Sequence, residues 1–345
     1  ERYNRFIKEG FRDGTFAEKR VLQYNGLYKE LKRYLTIHNQ TNILPKHFTA
    51  DDLMDLRIFL FEEHKYVDKY PSLDVKQQCL PTKERAQNTV AIKLRMLQAF
   101  YTELEERDEI EVSPFRKLGR NRRKAVMKES YDAPIYLLQE ELLKVMNTEV
   151  PEVLQEAKEC FLLQCAFGSR IEDYKALSMD KVTVSTDGIP YLRYLPQKTL
   201  KSNEHKDEVE IPIVRYALDL IKKWQFNFPI LKYVTGKSGY NVKIRRLLEY
   251  CQIGREVRIF DEKSSENIYK PLYSMGSSKI CRKTHIDMLT KVQVNMYVSG
   301  HHKEGSNAVK HYSSLSLKDR FILMSAAYKQ PLYKVDKELN IIEEV

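Results

Sequence analysis

The sequence has little that could staple it or bind a metal. Its five cysteines (Cys79, Cys160, Cys165, Cys251, Cys281) are odd in number and scattered, and none forms a C-x-x-C pair. That excludes a disulfide framework and a cysteine zinc site, and predicts reduced thiols in a cytoplasmic protein. No apolar run approaches ~18 residues, so no membrane span is expected. The longest, Cys160 to Phe167, is broken by Gln164. The first residues, Glu1-Arg2-Tyr3-Asn4-Arg5, do not form a signal peptide. They also lack a starting Met, so a further N-terminal piece is expected upstream. G-x-x-x-x-G-K-[ST], H-E-x-x-H and G-x-S-x-G are all missing, which leaves nucleotide hydrolysis, zinc hydrolysis and lipase-type chemistry unsupported. There is no internal repeat and no low-complexity segment.

What the chain has is positive charge. Its 345 residues carry 58 Lys+Arg against 48 Asp+Glu, a net charge of +10. A basic surplus of this size points to a polyanion, nucleic acid first and an anionic membrane surface second. With 42% hydrophobic and 31% charged residues the composition is that of a globular protein rather than a disordered one. The length suits about two domains.

Hydrophobic periodicity predicts helices first. Val21, Tyr24, Leu27, Leu31 and Tyr34 make one stripe over residues 18–37. Thr49 should start a second helix, with Asp51 and Asp52 in its first turn and Leu53, Leu56, Phe59 and Leu60 inside. Residues 71–82 read as a loop. Val90, Leu94, Leu97, Tyr101 and Leu104 line a third helix over about 85–107. Ser113-Pro114 should end this helical block. From Arg116 to Lys128 there are seven basic residues and no acid, which reads as a linker able to cross a phosphate backbone. Beyond it, helices are expected at 139–146, 153–167, 215–226, 239–250, 277–290 and 306–312. Strands are expected at Val182–Val184, Tyr191–Leu195 and Val209–Ile213, with an Asp187-Gly188 turn and a polar loop at 198–207. The expected fold is mainly α: a helical domain, then a mixed α/β domain, mostly helical, with a small antiparallel sheet.

A set of cations and one tyrosine follows in order. Phe167-Gly168-Ser169-Arg170-Ile171-Glu172-Asp173 ends an apolar helix, and Gln197-Lys198-Thr199 lies between two strands. Ser278-Lys279-Ile280-Cys281-Arg282 begins a helix. Ser299-Gly300-His301-His302 and Lys310-His311-Tyr312-Ser313 come last. Arg, Lys, Arg, His, Tyr in this order resembles the tyrosine recombinase (phage integrase) family over most of the chain. Gln87-Asn88-Thr89-Val90 running into Leu94–Tyr101 resembles that family's helical core-binding domain. Lys303-Glu304-Gly305-Ser306 to Tyr312 looks most like mobile-element integrases of Bacteroides-type bacteria. The resemblance divides the chain into an N-terminal linker (1–16), a core-DNA-binding domain (17–115), a basic linker (116–132), a catalytic domain (133–327) and a C-terminal tail (328–345).

The chemistry gives each residue a reason. Attack on a phosphodiester builds charge on its nonbridging oxygens, and two guanidinium groups, Arg170 and Arg282, can clamp them. A tyrosine hydroxyl, with pKa ~10, needs such a cationic pocket to act as nucleophile. The resemblance makes Tyr312 that nucleophile, Lys198 the general acid and Asp173 the carboxylate that orients Arg170. Lys279 stands three residues before Arg282, where the family usually has His. It can donate to phosphate but, while protonated, cannot act as a base. The Gly-His pattern selects His301, whereas the distance to Tyr312 selects His302. His285 and His311 read as structural. No cofactor and no metal is implied.

For DNA binding the candidates are Lys93 and Arg95, the run Arg116, Lys117, Arg120, Arg122, Arg123 and Lys124, and the cluster Lys243, Arg245 and Arg246. The implied partners are double-stranded attachment or crossover sites, three further copies of the chain on synapsed DNA, and an accessory DNA-bending protein. The free protein is expected to be monomeric and, inside the cell, cytoplasmic and nucleoid-associated. The tail from Tyr328 to Ile342 either docks in a neighbouring protomer or packs in cis. The function implied is site-specific recombination, such as integration or excision of a mobile element, without ATP. A type IB topoisomerase-like relaxing enzyme and a non-catalytic DNA-binding relative are the alternatives.

Overall fold

The computed structural model describes residues 1–69, 81–129, 134–197, 208–232, 239–261, 266–292 and 315–344. The chain divides into two compact units, Glu1–Tyr131 with Asp261–Glu266, and Asp132–Phe260 with Asn267–Val345.

The first unit is helical. It contains α1 (Arg2–Arg12), α2 (Glu18–Ile37), α3 (Ala50–Glu62), α4 (Gln87–Glu106) and two short helices, α5 (Pro114–Lys117) and α6 (Arg120–Val126). Thr49 caps α3 as its sequence predicts. The Thr49 hydroxyl accepts from the Asp52 N–H at 3.1 Å, and Asp52 Oδ2 accepts from the Thr49 N–H at 2.7 Å. Leu27, Leu53, Leu56, Leu60, Leu94 and Leu104 are fully buried. Tyr3 and Phe6 each meet Phe100 edge-on, with Tyr3 and Phe100 4.9 Å apart.

Two expectations fail in this unit. Residues 1–16, read as a linker, are largely helix α1, whose Tyr3, Phe6 and Ile7 enter the core. Three apolar residues at i, i+3 and i+4 give too short a stripe to stand out among Arg2, Arg5, Lys8 and Arg12. The basic run is likewise no free linker. Ser113 caps α5 with Pro114 at its first position, where a missing N–H costs nothing. Phe115, Leu118 and Val126 then anchor the run into the helical core. Only 130–132 of the expected linker lie outside the described residues.

The second unit is built around α8 (Glu152–Phe167), whose residues from Ala157 to Phe167 are all buried. Helices α10 (Arg215–Trp224), α11 (Tyr240–Tyr250) and α12 (Ser278–Val292) pack against α8. Helix α7 (Gln139–Asn147) precedes α8, and the single turn α9 (Ile171–Lys175) follows it. An antiparallel sheet, in the order β1 (Val182–Val184), β2 (Pro190–Tyr194), β3 (Val209–Pro212), pairs Val182 with Leu192 and Leu192 with Ile211. The Asp187-Gly188 turn joins the first two strands. A two-stranded ribbon, β4 (Glu256–Asp261) and β5 (Glu266–Pro271), has no counterpart in the sequence reading. Among the described residues no helix is long and apolar enough to cross a membrane.

In this single chain the C-terminal segment packs in cis, one of the two arrangements expected. Helix α13 (Leu317–Ala327) leads to Tyr328, which is fully buried. Strands β6 (Tyr333–Val335) and β7 (Ile341–Glu344) then fold back as a hairpin. The Tyr333 hydroxyl donates to the Ile213 carbonyl at 2.6 Å, and the Val335 N–H donates to the Gly188 carbonyl at 2.9 Å.

Candidate functional site

Helix α8 must stop where its apolar run stops, and Gly168 stops it. The residue adopts φ +57° and closes the helix with its N–H on the Gln164 carbonyl at 2.9 Å. Its conformation is one that L side chains avoid, and a Cβ there would fall 2.5 Å from the His285 ring. Two residues later Arg170 sits in the extended N-cap position of α9 and projects its partly exposed guanidinium from the corner.

Asp173, one turn on, is buried and lies 4.0 Å from the Arg170 guanidinium. Its Oδ1 also accepts the Gln197 N–H at 2.8 Å. One carboxylate therefore meets both Arg170 and the backbone at Gln197, three residues beyond β2.

Arg282 comes from the second turn of α12 and donates to the Gly168 carbonyl at 3.0 Å. Burial lowers its pKa from the ordinary arginine value, and the positive charge of Arg170 pushes the same way. Two guanidinium groups thus repel one another in a partly dry corner, with Asp173 as the carboxylate beside them. Two guanidinium groups so placed can hold an anion by its oxygens. Lys279 lies on the same face of α12, three residues earlier, exposed and without an acidic partner among the described residues.

Several members of the site were not legible as such. Tyr194 on β2 is buried beside the arginines. Burial and Asp173 raise its pKa, while Arg282 and Arg170 pull it down. Gln164, which broke the apolar run, is fully buried and ties three elements together. Its Oε1 accepts from the Tyr240 hydroxyl at 3.0 Å, and its Nε2 donates to the Ser169 and Ser278 carbonyls at 3.3 and 3.4 Å. A lone polar residue inside an apolar helix was the available signal. His285, read as structural, packs behind Gly168.

Lys198, His301, His302 and Tyr312, with the expected helix at 306–312, lie outside the described residues. So do 71–80 of the expected loop.

The DNA-contact candidates separate into bound and free cations. Lys93 is taken: its ammonium pairs with Glu30 at 2.7 Å. Arg85 also pairs with Glu30, at 3.0 Å, and Glu63 pairs with both Arg33 and Arg85. Two buried carboxylates demand these cations, so Lys93 does not project as a free charge. Arg95 pairs with Glu129, and Arg116 lies 3.4 Å from Glu105. By contrast Lys117, Arg120, Arg122, Arg123 and Lys124 have no acidic partner among the described residues. On α11, Lys243 and Arg245 reach backbone carbonyls of Val153 and Gly276, and Arg246 is exposed.

No protein-family model and no curated protein matches the sequence. Solved structures do match. A lambda integrase dimer bound to a COC′ core site aligns with TM-score 0.50 and 14% identity, over 90% of this chain and 93% of that one. The Tn1549 transposon integrase, in complex with circular intermediate DNA, aligns at 0.49 and 12%, over 94% and 98%. The XerH site-specific recombinase bound to difH substrate aligns at 0.45 and 11%, over 87% and 78%. The chain has the tyrosine recombinase fold.

Proposed function

We propose that the chain is a site-specific DNA recombinase that cuts and rejoins DNA through Tyr312, as an integrase of a mobile element does. The observation that carries this reading is the pair Arg170 and Arg282, two guanidiniums that repel one another at the corner after α8, with Asp173 beside the first.

The chemistry runs as follows. DNA brings its scissile phosphate between the two arginines, which neutralise the charge growing on its nonbridging oxygens. That is the effect of greatest weight in such a reaction, with about 10² to 10³ in rate for one direct donor. The Tyr312 hydroxyl gives its proton to solvent as its oxygen attacks phosphorus and forms a 3′-phosphotyrosyl bond, and the bond to the 5′ oxygen breaks. Lys198 gives that oxygen its proton, so a 5′-hydroxyl leaves. Lys279, with His301 or His302, donates to the phosphate. A 5′-hydroxyl from a second strand reverses the step and returns the Lys198 proton. The bond energy stays in the phosphotyrosyl link, so ATP is not consumed.

Exchange of two duplexes breaks four strands, each with its own tyrosine, so the active assembly holds four copies. The helical unit and the catalytic unit both bind the duplex. The free cations Lys117, Arg120, Arg122, Arg123 and Lys124 supply nonspecific affinity, with Arg246 in a smaller role. The protein works in the cytoplasm, at the nucleoid, with a DNA-bending partner where the site requires one.

Covalent capture tests this reading. The protein is mixed with sheared genomic DNA from its host, quenched with SDS, and the protein-linked DNA is sequenced beside a Tyr312→Phe control. The expected result is one defined sequence linked through its 3′ end, absent from the control. Recombinant products between two such sites separate recombination from simple relaxation of supercoils. DNA that binds at low salt but is never linked overturns the catalytic reading and leaves a DNA-binding protein.

A further inference from the structure

Behind the arginine clamp lies a buried hydrogen-bond cluster that phosphate would not touch. Where α8 ends, its last carbonyls lose their helical donors. The Gln164 carbonyl is met by the Gly168 N–H, and the Cys165 carbonyl is met from elsewhere in the chain. The Tyr328 hydroxyl donates to it at 2.7 Å. His285 Nδ1 lies 2.9 Å from the Tyr328 oxygen and 3.1 Å from the same carbonyl. With the tyrosine proton on the carbonyl, Nδ1–H donates to the tyrosine oxygen. Both side chains are fully buried.

The cluster reaches the arginine clamp through Gly168. The His285 ring stands against Gly168, so close that a Cβ would overlap it. The Gly168 carbonyl is the group that receives the Arg282 guanidinium. A phenylalanine at 328 would fill the same volume, so packing alone does not call for the hydroxyl.

We propose that Tyr328 and His285 are positioning residues for Arg282: they fix the turn from Cys165 to Gly168, and through its carbonyl they aim the guanidinium at the phosphate's nonbridging oxygen. The inference rests on the recombinase reading and adds to it a control of the clamp from the far end of α13. Loss of the hydroxyl lets the turn relax, and Arg282 then meets the developing charge less well.

The test uses the DNA site found by covalent capture, in two forms. One has the ordinary scissile phosphodiester, and the other a methylphosphonate, whose methyl group replaces a nonbridging oxygen and removes the charge that Arg282 neutralises. Tyr328→Phe should form the Tyr312 link about tenfold more slowly on the phosphodiester, an order below the loss of a direct donor. DNA retention should be unchanged. On the methylphosphonate its rate should come within about twofold of the parent protein's, as should that of Arg282→Ala. His285→Asn, whose amide can donate from near the Nδ1 position, should keep most of the activity, whereas His285→Leu should follow Tyr328→Phe. An equal deficit on both substrates, or none on either, overturns the positioning role and leaves the recombinase reading intact. A parent protein that forms no covalent link on the phosphodiester takes both down.

Discussion

Gly168→Ala puts the end of α8 under two separable loads. Gly168 has φ +57°, and a left-handed non-glycine residue costs about 1 to 2 kcal/mol. The new Cβ would lie 2.5 to 2.8 Å from His285 Cδ2, Cγ and Cβ. That ring is fully buried, so it cannot swing aside, and overpacking of this kind costs about 1 to 3 kcal/mol. The total, about 2 to 5 kcal/mol, is a large part of the ~5 to 15 kcal/mol that holds an ordinary domain. The chain has one tryptophan, Trp224, packed in the second unit with its indole N–H on Glu159. Its fluorescence during urea unfolding therefore reports that unit alone. The midpoint should fall by about 1 to 2 M urea. Gly254→Ala, with open space around its Cβ and no positive φ, should stay within about 0.5 kcal/mol of the parent. A double-mutant cycle divides the loads: in a His285→Ala background the cost of Gly168→Ala should drop to the backbone part, about 1 to 2 kcal/mol. An unchanged midpoint, or the same cost with and without the ring, refutes the argument.

Asp173→Ala removes the acceptor of the Gln197 N–H and the carboxylate beside Arg170, so single-turnover cleavage should fall more than in Asp173→Asn, and parent-like rates in both would refute the role. Replacing Lys117, Arg120, Arg122 and Lys124 with Gln should flatten the salt dependence of DNA binding by up to about 0.9 log units per lost phosphate contact, measured by titration at several salt concentrations. Burial pushes the Glu159 carboxyl up, but hydrogen bonds from Lys223, Gln155 and Trp224 outweigh it and hold the folded pKa below its ordinary 4.5. The unfolded chain then binds the proton more readily, so this part of the stability is complete above pH 4.5 and is lost as pH falls through the lower folded value. Glu159→Gln should accordingly lose stability at neutral pH and show a shallower acid limb, read at Trp224.

The helices with long apolar stripes were readable to within two residues: α2, α4, α8 and α12 begin and end near the predicted positions, and α3 begins where Thr49 predicts. Periodicity and the capping residues are local properties, so one sequence carries them. Helix α1 escaped because its buried face is only three residues wide. Strand β7 escaped for a related reason: Ile341–Glu344 is short and largely exposed and shows no alternation against solvent. The positions of Arg170 and Arg282 were also legible, since their neighbours along the chain mark them.

Which cations are free was not legible. Lys93 and Arg120 look alike in sequence, yet one neutralises a buried Glu30 and the other faces solvent. The sequence by itself determined the helical character, the surplus of positive charge, and the order of the two arginines. Only the tertiary structure decided that Arg282 rests on the carbonyl of Gly168, 114 residues away along the chain, and that His285 stands behind it. Hydrogen bonds and ion pairs are set by distances in space, and those distances exist only once α8 and α12 have packed together.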